Sequence, residues 1–122
     1  YTEAEKPAGA YFTVSADGGK TFSAPQALHP NAKVWDHAQI AIAPDNSVRV
    51  VWDAKVGEER KLFTRVTTDQ GKTLGTITEI ETPAGNAAFP LLAIAANGAT
   101  YLTWQQDNQV MFRAIPAMVA QK

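Results

Sequence analysis

The chain has 122 residues, a formal net charge of −1 and an apolar content of 45%, which fits one globular domain with a buried core. So balanced a charge gives no electrostatic reason to expect binding to nucleic acid or to an anionic membrane. The absence of cysteine excludes disulfide bonds and Cys-ligated zinc, and no apolar run approaches the roughly 20 residues that cross a bilayer. Because the sequence begins with Tyr1 rather than methionine, we expect a processed or interior piece of a longer polypeptide.

Short runs rich in β-branched and aromatic residues, separated by turn residues, predict strands throughout the chain. In chain order, the strands are predicted over residues 10–14, 21–28, 39–43, 48–52, 61–66, 76–81, 91–95, 100–104 and 110–114. The pair Asn97-Gly98 between two alternating runs is a strong hairpin signal, whereas Pro25 favours a sheet edge for the second strand. No segment has helical periodicity, so the sequence predicts an all-β chain.

Two landmarks repeat with the same period. Residues 15–22 and 67–74 share the pattern hydroxyl, x, Asp, x, Gly, Lys, Thr, bulky apolar, and their aspartates, Asp17 and Asp69, lie 52 residues apart. Trp52 and Trp104 end two similar strands and have the same separation. A repeat of roughly 40–50 residues is typical of β-propeller blades. We expect both tryptophans to pack between blades.

With four strands, A to D, in each blade, the chain contains strands C-D, then A-B-C-D, then A-B-C. These groups occupy residues 1–36, 37–85 and 86–122. They predict a partial β-propeller of four-stranded antiparallel blades, with one full blade flanked by two incomplete ones. A propeller needs about four blades to close, so we expect the C-terminal portion of a larger propeller, completed by missing N-terminal blades or by other copies. The alternative is a compact β-domain of another topology.

The repeated turn resembles the Asp box, or bacterial neuraminidase repeat, whose pattern is Ser-x-Asp-x-Gly-x-Thr followed by Phe or Trp. Residues 15–22 match at every defined position, and residues 67–74 match with Thr67 for serine and Leu74 for the aromatic residue. The resemblance implies a sialidase-like propeller in which these turns lie on the outer rim and are structural. The residues assigned to them are Ser15, Asp17, Gly19, Thr21, Phe22, Thr67, Asp69, Gly71 and Thr73.

The residue types of this turn have a physical reason. A tight reversal leaves backbone N–H groups without a ladder partner, and an aspartate carboxylate can accept from them. Glycine permits the positive φ of the reversal, the threonine can bond back across the turn, and the final apolar residue anchors it. We therefore expect Asp17 and Asp69 to stabilise turns rather than to bind calcium or act as catalytic acids.

Sialidases, which the resemblance brings into consideration, bind the substrate carboxylate with three arginines and use a Tyr/Glu nucleophile pair and an aspartic acid/base. Of the four arginines in this chain, Arg65 and Arg113 occupy matching strand positions, which indicates a structural role. None of the tyrosines has an obvious glutamate partner. The sequence therefore predicts no catalytic residue, no cofactor and no metal site in this chain.

A candidate ligand-binding site comprises Trp35, Asp36 and His37, with Phe89 in the corresponding stretch one period later. These residues precede innermost strands, and that part of a propeller forms the axial face where ligands bind. An aspartate beside a histidine can serve as an acid/base couple or as a metal ligand with its orienting carboxylate. The alternative is a capped loop without a binding role. His29 adds a second histidine but no third ligand, so a metal site is not predicted.

From these observations we expect a non-catalytic propeller segment of a periplasmic or extracellular protein, which acts as a scaffold or binds a carbohydrate or protein partner. The alternative is the C-terminal part of a sialidase-type or other propeller glycoside hydrolase whose catalytic residues lie largely outside this chain. A glycosidase would place paired carboxylates and arginines at one axial mouth, which distinguishes the two hypotheses. A third hypothesis is an oligomer whose copies complete one another's blades.

Overall fold

A computed structural model describes residues 10–30 and 34–115, and all regular structure within these ranges is β. The strands of this part are β1 (Tyr11–Phe12), β2 (Gln26–Ala27), β3 (Trp35–Ile42), β4 (Val48–Val56), β5 (Glu59–Thr67), β6 (Thr78–Ile80), β7 (Ala87–Ile94), β8 (Thr100–Gln106) and β9 (Gln109–Ile115). They form a first sheet of β1 and β2, a second sheet of β3 to β6 and a third sheet of β7 to β9, all antiparallel. The predicted all-β class is confirmed, and none of the three sheets formed by the described residues closes on itself. No helix in the described ranges is long and apolar enough to cross a membrane.

The hairpin formed by β4 and β5 is longer than the sequence predicts. Residues 53–60 lie between the two predicted strands, yet both strands continue through them, and the ladder ends at the pair Val56 and Glu59. Gly57 adopts a φ of 63°, which allows the chain to reverse over two residues. As a result, Asp53 lies inside β4 and not in a solvated loop.

The turns that connect β3 to β4 and β7 to β8 are tight reversals of matching geometry. Asn46 has a φ of 67° and donates its N–H to Ala43 O at 2.9 Å. Gly98 has a φ of 88° and donates its N–H to Ala95 O at 2.8 Å. The hairpin predicted at Asn97-Gly98 is therefore confirmed.

The three sheets stack face to face, with the second sheet in the middle. Because side chains alternate along a strand, Val50 and Trp52 of β4 face the first sheet while Val51 faces the third. The core against the first sheet consists of Leu28, Val50, Trp52, Ala54 and Phe63. The core against the third sheet consists of Val51, Leu62, Ala87, Leu92, Leu102 and Trp104. Burial of both faces explains the nearly continuous apolar run at the centre of β4.

The 52-residue period holds in three dimensions at the two tryptophans. Trp52 packs toward the first sheet and Trp104 packs toward the second, so each ring faces the sheet that precedes its own. The indole N–H of Trp52 donates to His29 Nδ1 at 2.9 Å, and that of Trp104 donates to Gln106 Oε1 at 3.0 Å. Equivalent positions in successive sheets therefore have equivalent packing roles.

One end of the stack has an uncovered apolar face along β3. Ile40 and Ile42 are 59% and 67% exposed, whereas Leu92, one period after Ile40, is only 9% exposed against the second sheet. The same contrast holds at the turns, since Phe22 is exposed while Leu74 packs against the core. The first sheet, with only β1 and β2 in the described residues, does not extend over β3.

The opposite end of the stack also has an uncovered apolar face, on the side of the third sheet that points away from the second. Pairing across the strands places Leu91 and Phe112 in one row of this face and Tyr101 in the next. The rings of Tyr101 and Phe112 stack with centroids 5.7 Å apart, and both are exposed. Val110 extends the same exposed surface.

Both repeated turns, at residues 15–22 and 67–74, use the aspartate as an acceptor. Asp17 Oδ1 accepts the N–H groups of Lys20 and Thr21 at 3.0 and 2.9 Å, and its Oδ2 accepts the Thr21 hydroxyl at 2.5 Å. Asp69 accepts the N–H and the hydroxyl of Thr73 at 3.0 and 2.5 Å. These bonds, led by the one from the threonine hydroxyl, lower the pKa of each aspartate from 3.8 to about 2. The stabilisation they give is therefore present above pH 3.8 and is lost as the pH falls through about 2.

The glycines of the two repeated turns allow a test of how the second turn packs. Gly19 and Gly71 have φ values of 92° and 87°, but a Cβ at Gly19 would meet nothing within 4 Å, whereas one at Gly71 would lie 3.1 Å from Val14 Cβ. Gly19→Ala is expected to cost only the backbone strain, on the order of 1–2 kcal/mol. Gly71→Ala should lower the unfolding free energy by about 1–3 kcal/mol more than Gly19→Ala, because its added methyl group also crowds Val14. Urea denaturation of the two variants measures the difference; equal losses would contradict the packing of this turn on the first sheet.

The hydrogen bond between Trp52 and His29 predicts a pH effect on stability. Burial, followed by the positive charge of Arg65, lowers the pKa of His29 below its ordinary 6.5, and Nδ1 must be unprotonated to accept the indole N–H. The stabilisation is fully present above pH 6.5 and falls as the pH drops toward the lowered pKa. Between neutral pH and about pH 5, the melting temperature should fall more in the wild type than in His29→Gln, whose amide oxygen accepts without titrating. Parallel melting curves for the two proteins would contradict this role.

Candidate ligand-binding site

The candidate site is built on two β-bulges that lie side by side. β3 and β7 are edge strands, and each shifts register against its neighbour, within residues 36–39 and 88–91 respectively. Within these bulges, His37 and Phe89 have φ values of 55° and 57°. A positive φ is uncommon for residues other than glycine, and bulges re-aim side chains and are frequent beside functional sites.

The two bulged side chains contact each other. His37 and Phe89 are 52 residues apart in the sequence, so they are equivalent positions of the repeat. Their ring centroids are 3.8 Å apart with the planes inclined at 35°. Half of Phe89 is exposed, so the pair presents an aromatic surface that is accessible to a ligand.

Asp53 of β4 holds this pair in place through its buried carboxylate. Its carboxylate is completely buried, and its Oδ2 lies 2.7 Å from His37 Nδ1 and accepts the backbone N–H of Phe89 at 2.9 Å. Its Oδ1 accepts Nη1 of Arg60 in an ion pair. A buried carboxylate requires such partners, and here three of them satisfy it.

The position of Asp53 sets what His37 can do. With a carboxylate at Nδ1, the imidazole carries its hydrogen there, and Nε2 is left to interact with other groups. The His37 side chain is 34% exposed, so a ligand can reach it. An imidazole oriented in this way can accept a hydrogen bond from a ligand hydroxyl or take up a proton.

Asp36 and Arg60 complete the polar side of the site. Asp36 Oδ2 lies 3.6 Å from Arg60 Nη1, and the Asp36 side chain is 54% exposed. The backbone N–H of Arg60 donates to Asn86 Oδ1 at 2.7 Å, which ties the β4–β5 hairpin to the residues before β7. The site thus offers one carboxylate, one imidazole nitrogen and one aromatic ring to solvent.

Three of the four residues singled out from the sequence, Asp36, His37 and Phe89, come together in this site. Trp35 does not join them. It pairs with Ala54 across β3 and β4 and packs against the core on the first-sheet side. Trp35 and Asp36 belong to a strand rather than to a loop, because β3 begins at Trp35, before the segment boundary predicted at residue 37.

Sequence reasoning missed Asp53 and Arg60. Both fall in a polar stretch that resembles a solvated loop, but they face each other across the hairpin of β4 and β5. The available signal was an aspartate directly after the apolar run that ends in Trp52. When an acidic residue directly after such a run is part of the strand and buried, it normally has a paired partner.

Metal binding finds no support in the described parts of the chain, where no three His, Asp or Glu side chains are grouped so as to hold an ion. At the candidate site, both oxygens of Asp53 are committed to protein donors. The site is therefore better suited to hydrogen bonding and ring contact than to coordination.

No family model, curated protein or solved structure matches this chain. The resemblance to Asp-box proteins therefore depends on the two turn motifs, and the candidate site depends on its own geometry. Neither has a relative from which a residue role can be transferred.

The two arginines at matching strand positions lie outside the site. Arg65 donates from Nη1 to the carbonyl oxygens of Ala27 and Leu28, each at 3.1 Å, and from Nε to Gly75 O at 2.8 Å. Arg113 donates to Glu81 O at 2.6 Å. The Arg65 guanidinium thus binds backbone at the end of β2 and before β6, and the Arg113 guanidinium binds backbone directly after β6.

Proposed function

We propose that this chain is a non-catalytic segment of a sialidase-like Asp-box propeller, in which it serves as scaffold and presents one ligand-contact site. The single observation that carries the proposal is the exposure of repeat-equivalent apolar residues at the ends of the stack. Ile40 is exposed while Leu92, its equivalent, is buried by the preceding sheet. A surface of this kind is normal inside a longer stack of sheets and unusual at the end of an independent one.

The outer face of the third sheet supports the same proposal. Val110 and Phe112 are among the most exposed large apolar side chains of the described residues. In repeat proteins, terminal units normally carry a polar outer face, and this sheet does not. A further sheet packed against it would bury these residues as the third sheet buries Leu62 of the second.

The contact site favours a neutral hydroxylated ligand such as a saccharide. Phe89 offers an apolar ring face, and His37 Nε2 and the Asp36 carboxylate offer hydrogen-bonding groups beside it. Small-molecule sites usually combine apolar or aromatic surface with a few placed polar groups. An anionic ligand is disfavoured, because Asp36 repels it and Arg60 is already paired with Asp53.

The glycosidase alternative has one observation in its favour, since Asp36 and Asp53 lie at one site with Arg60. However, a glycosidase needs two carboxylates that both reach the scissile bond. Asp53 has no exposed surface, and its acceptors are occupied by three protein donors. This leaves a single accessible carboxylate, which supports binding without hydrolysis.

Native mass tests the scaffold part of the proposal. Light scattering over a wide concentration range is expected to show association of the chain through its uncovered faces, well above 13.1 kDa. The double variant Val110→Glu/Phe112→Glu should shift the protein toward the monomer. Gln109→Glu, an exposed change on the same strand, serves as the matched control and should leave association unchanged. A monomer at every concentration, with β3 and β9 edge amides protected from exchange, would contradict the proposal.

Protein-observed NMR tests the binding part. Lactose is expected to shift the ring signals of His37 and Phe89, and sialyllactose to shift them less because of the Asp36 charge. Phe89→Ala should abolish the effect, whereas Phe112→Ala, which also removes an exposed ring, should not. Release of sialic acid by the chain would favour the glycosidase alternative instead.

A further inference from the structure

A cavity lies at the opposite end of the second and third sheets from His37. It has a volume of about 260 Å³ and lies between the turns that connect β3 to β4 and β7 to β8. Asp45, Ser47, Arg49, Val66 and Thr100 contribute to its lining. The volume falls just below the roughly 300–1,000 Å³ of typical ligand pockets, which suits a small molecule or one inserted side chain.

The unusual feature of this cavity is a buried and unsatisfied arginine. Arg49 is 4% exposed, and its Nη2 is buried without any hydrogen-bond partner. Within the described residues its guanidinium forms no ion pair either, although every Asp and Glu of the chain except Glu3 and Glu5 lies there. Burial lowers the pKa of Arg49, but not enough to discharge an arginine at physiological pH. An unpaired buried charge is among the most costly features a fold can contain.

We propose that Arg49 is a carboxylate receptor, and that the cavity takes the carboxylate of a small monocarboxylic acid or of an acidic side chain. Guanidinium binds carboxylate through two parallel N–H donors, and Nη2 is an unused donor in this position. The Thr100 hydroxyl donates to Gly98 O at 3.2 Å, which places a further polar group beside the cavity. This site does not depend on the proposed propeller function.

Asp45 restricts the charge of the occupant. Its Oδ1 accepts the N–H and the hydroxyl of Ser47 at 2.9 and 2.6 Å, which lowers its pKa and keeps it ionised. A carboxylate at this cavity wall repels a dianion more strongly than a monoanion. Acetate is therefore expected to bind better than sulfate.

The test is a titration of the chain with acetate, followed through the Nε–H signal of Arg49 in nitrogen-15 NMR spectra. A saturable shift is expected with acetate and a smaller one with sulfate at equal ionic strength. Acetate should also raise the melting temperature. Arg49→Met should abolish this effect. Arg113→Met, which removes an exposed guanidinium, should retain it. Without acetate, Arg49→Met should be at least as stable as the wild type, because it removes an uncompensated charge.

The double variant Glu3→Gln/Glu5→Gln distinguishes the source of the carboxylate, since these two side chains lie outside the described ranges. Acetate binding to the wild type identifies a site for a free acid. Acetate binding only to the double variant identifies a carboxylate of the chain itself as the occupant. If acetate shifts the Arg49 signal in neither protein, the proposal is overturned; it is also overturned if sodium chloride reproduces the acetate effect. Should Arg49→Met fail to fold, the NMR titration still decides.

Discussion

Replacement of Asp53 by alanine is expected to lower the unfolding free energy by about 3–5 kcal/mol, the scale observed when one partner of a buried ion pair is removed. The carboxylate has no exposed surface and satisfies His37, Arg60 and the N–H of Phe89 at once. Its loss leaves the partly buried N–H of Phe89 without an acceptor and leaves Arg60 with only the more distant carboxylate of Asp36. Chemical denaturation followed by circular dichroism measures the effect.

Asp36→Asn is the matched control for this substitution. Asp36 lies opposite Asp53 across β3 and β4 and approaches the same Nη1 of Arg60, but at 3.6 Å and with 54% of its side chain exposed. An exposed pair of this kind contributes between about 0 and 1 kcal/mol. Similar losses for the two variants would show that Asp53 is not the structural centre of the site. Asp53→Asn keeps the shape and should fall between them, since its amide still offers one acceptor.

Replacement of Trp52 by alanine is expected to cost about 3–5 kcal/mol, as for other large aromatic side chains in a packed core. The ring is almost fully buried, stacks with Phe63 at a centroid distance of 6.1 Å and meets His29 edge-on at 5.6 Å. It is also the largest fully buried side chain between the first and second sheets. The measurement is again the denaturation midpoint, with hydrogen exchange reporting whether β1 and β2 open first.

Trp52→Phe and Trp104→Phe separate ring packing from hydrogen bonding. Each variant leaves most of the aromatic volume but removes an indole donor, from His29 Nδ1 in one case and from Gln106 Oε1 in the other. Gln106 also donates to Pro83 O and Ala84 O at 2.9 and 3.0 Å, so its position is fixed by other bonds. We expect losses of about 1–2 kcal/mol for both. A loss confined to Trp104→Phe would contradict the role given to His29.

The all-β class and the antiparallel hairpins could be predicted from local pattern because the signals they depend on are local. The Asn97-Gly98 turn, the alternation in β8 and the repeated box turns are each encoded within a few residues. The shared offset of 52 residues then indicates which elements are equivalent. The strand ends were less predictable, because the β4–β5 ladder carries polar residues to Val56 and Glu59 that the pattern alone assigns to a loop.

The candidate site could be predicted only in part, because its central residue acquires its role from three separate elements. Asp53 on β4 contacts Arg60 on β5 and His37 on the neighbouring strand β3. It also contacts Phe89 on β7 of the third sheet. None of these contacts is visible from spacing along the chain. Trp35 illustrates a second reason why the site could not be predicted in full. The bulge after Asp36 breaks the alternation of side chains along β3, so the face on which Trp35 lies does not follow from the residues after the bulge.

Equivalent faces that recur every 52 residues also bear on how a protein of this kind can lengthen. A tandem duplication of one such unit would insert a sheet that again carries a tryptophan at the position of Trp52 and Trp104, facing the sheet before it. Each added copy would contribute one more intersheet contact built around that ring, so stability would rise with the number of units. The packing is therefore of a kind that can be extended by duplication of a single unit.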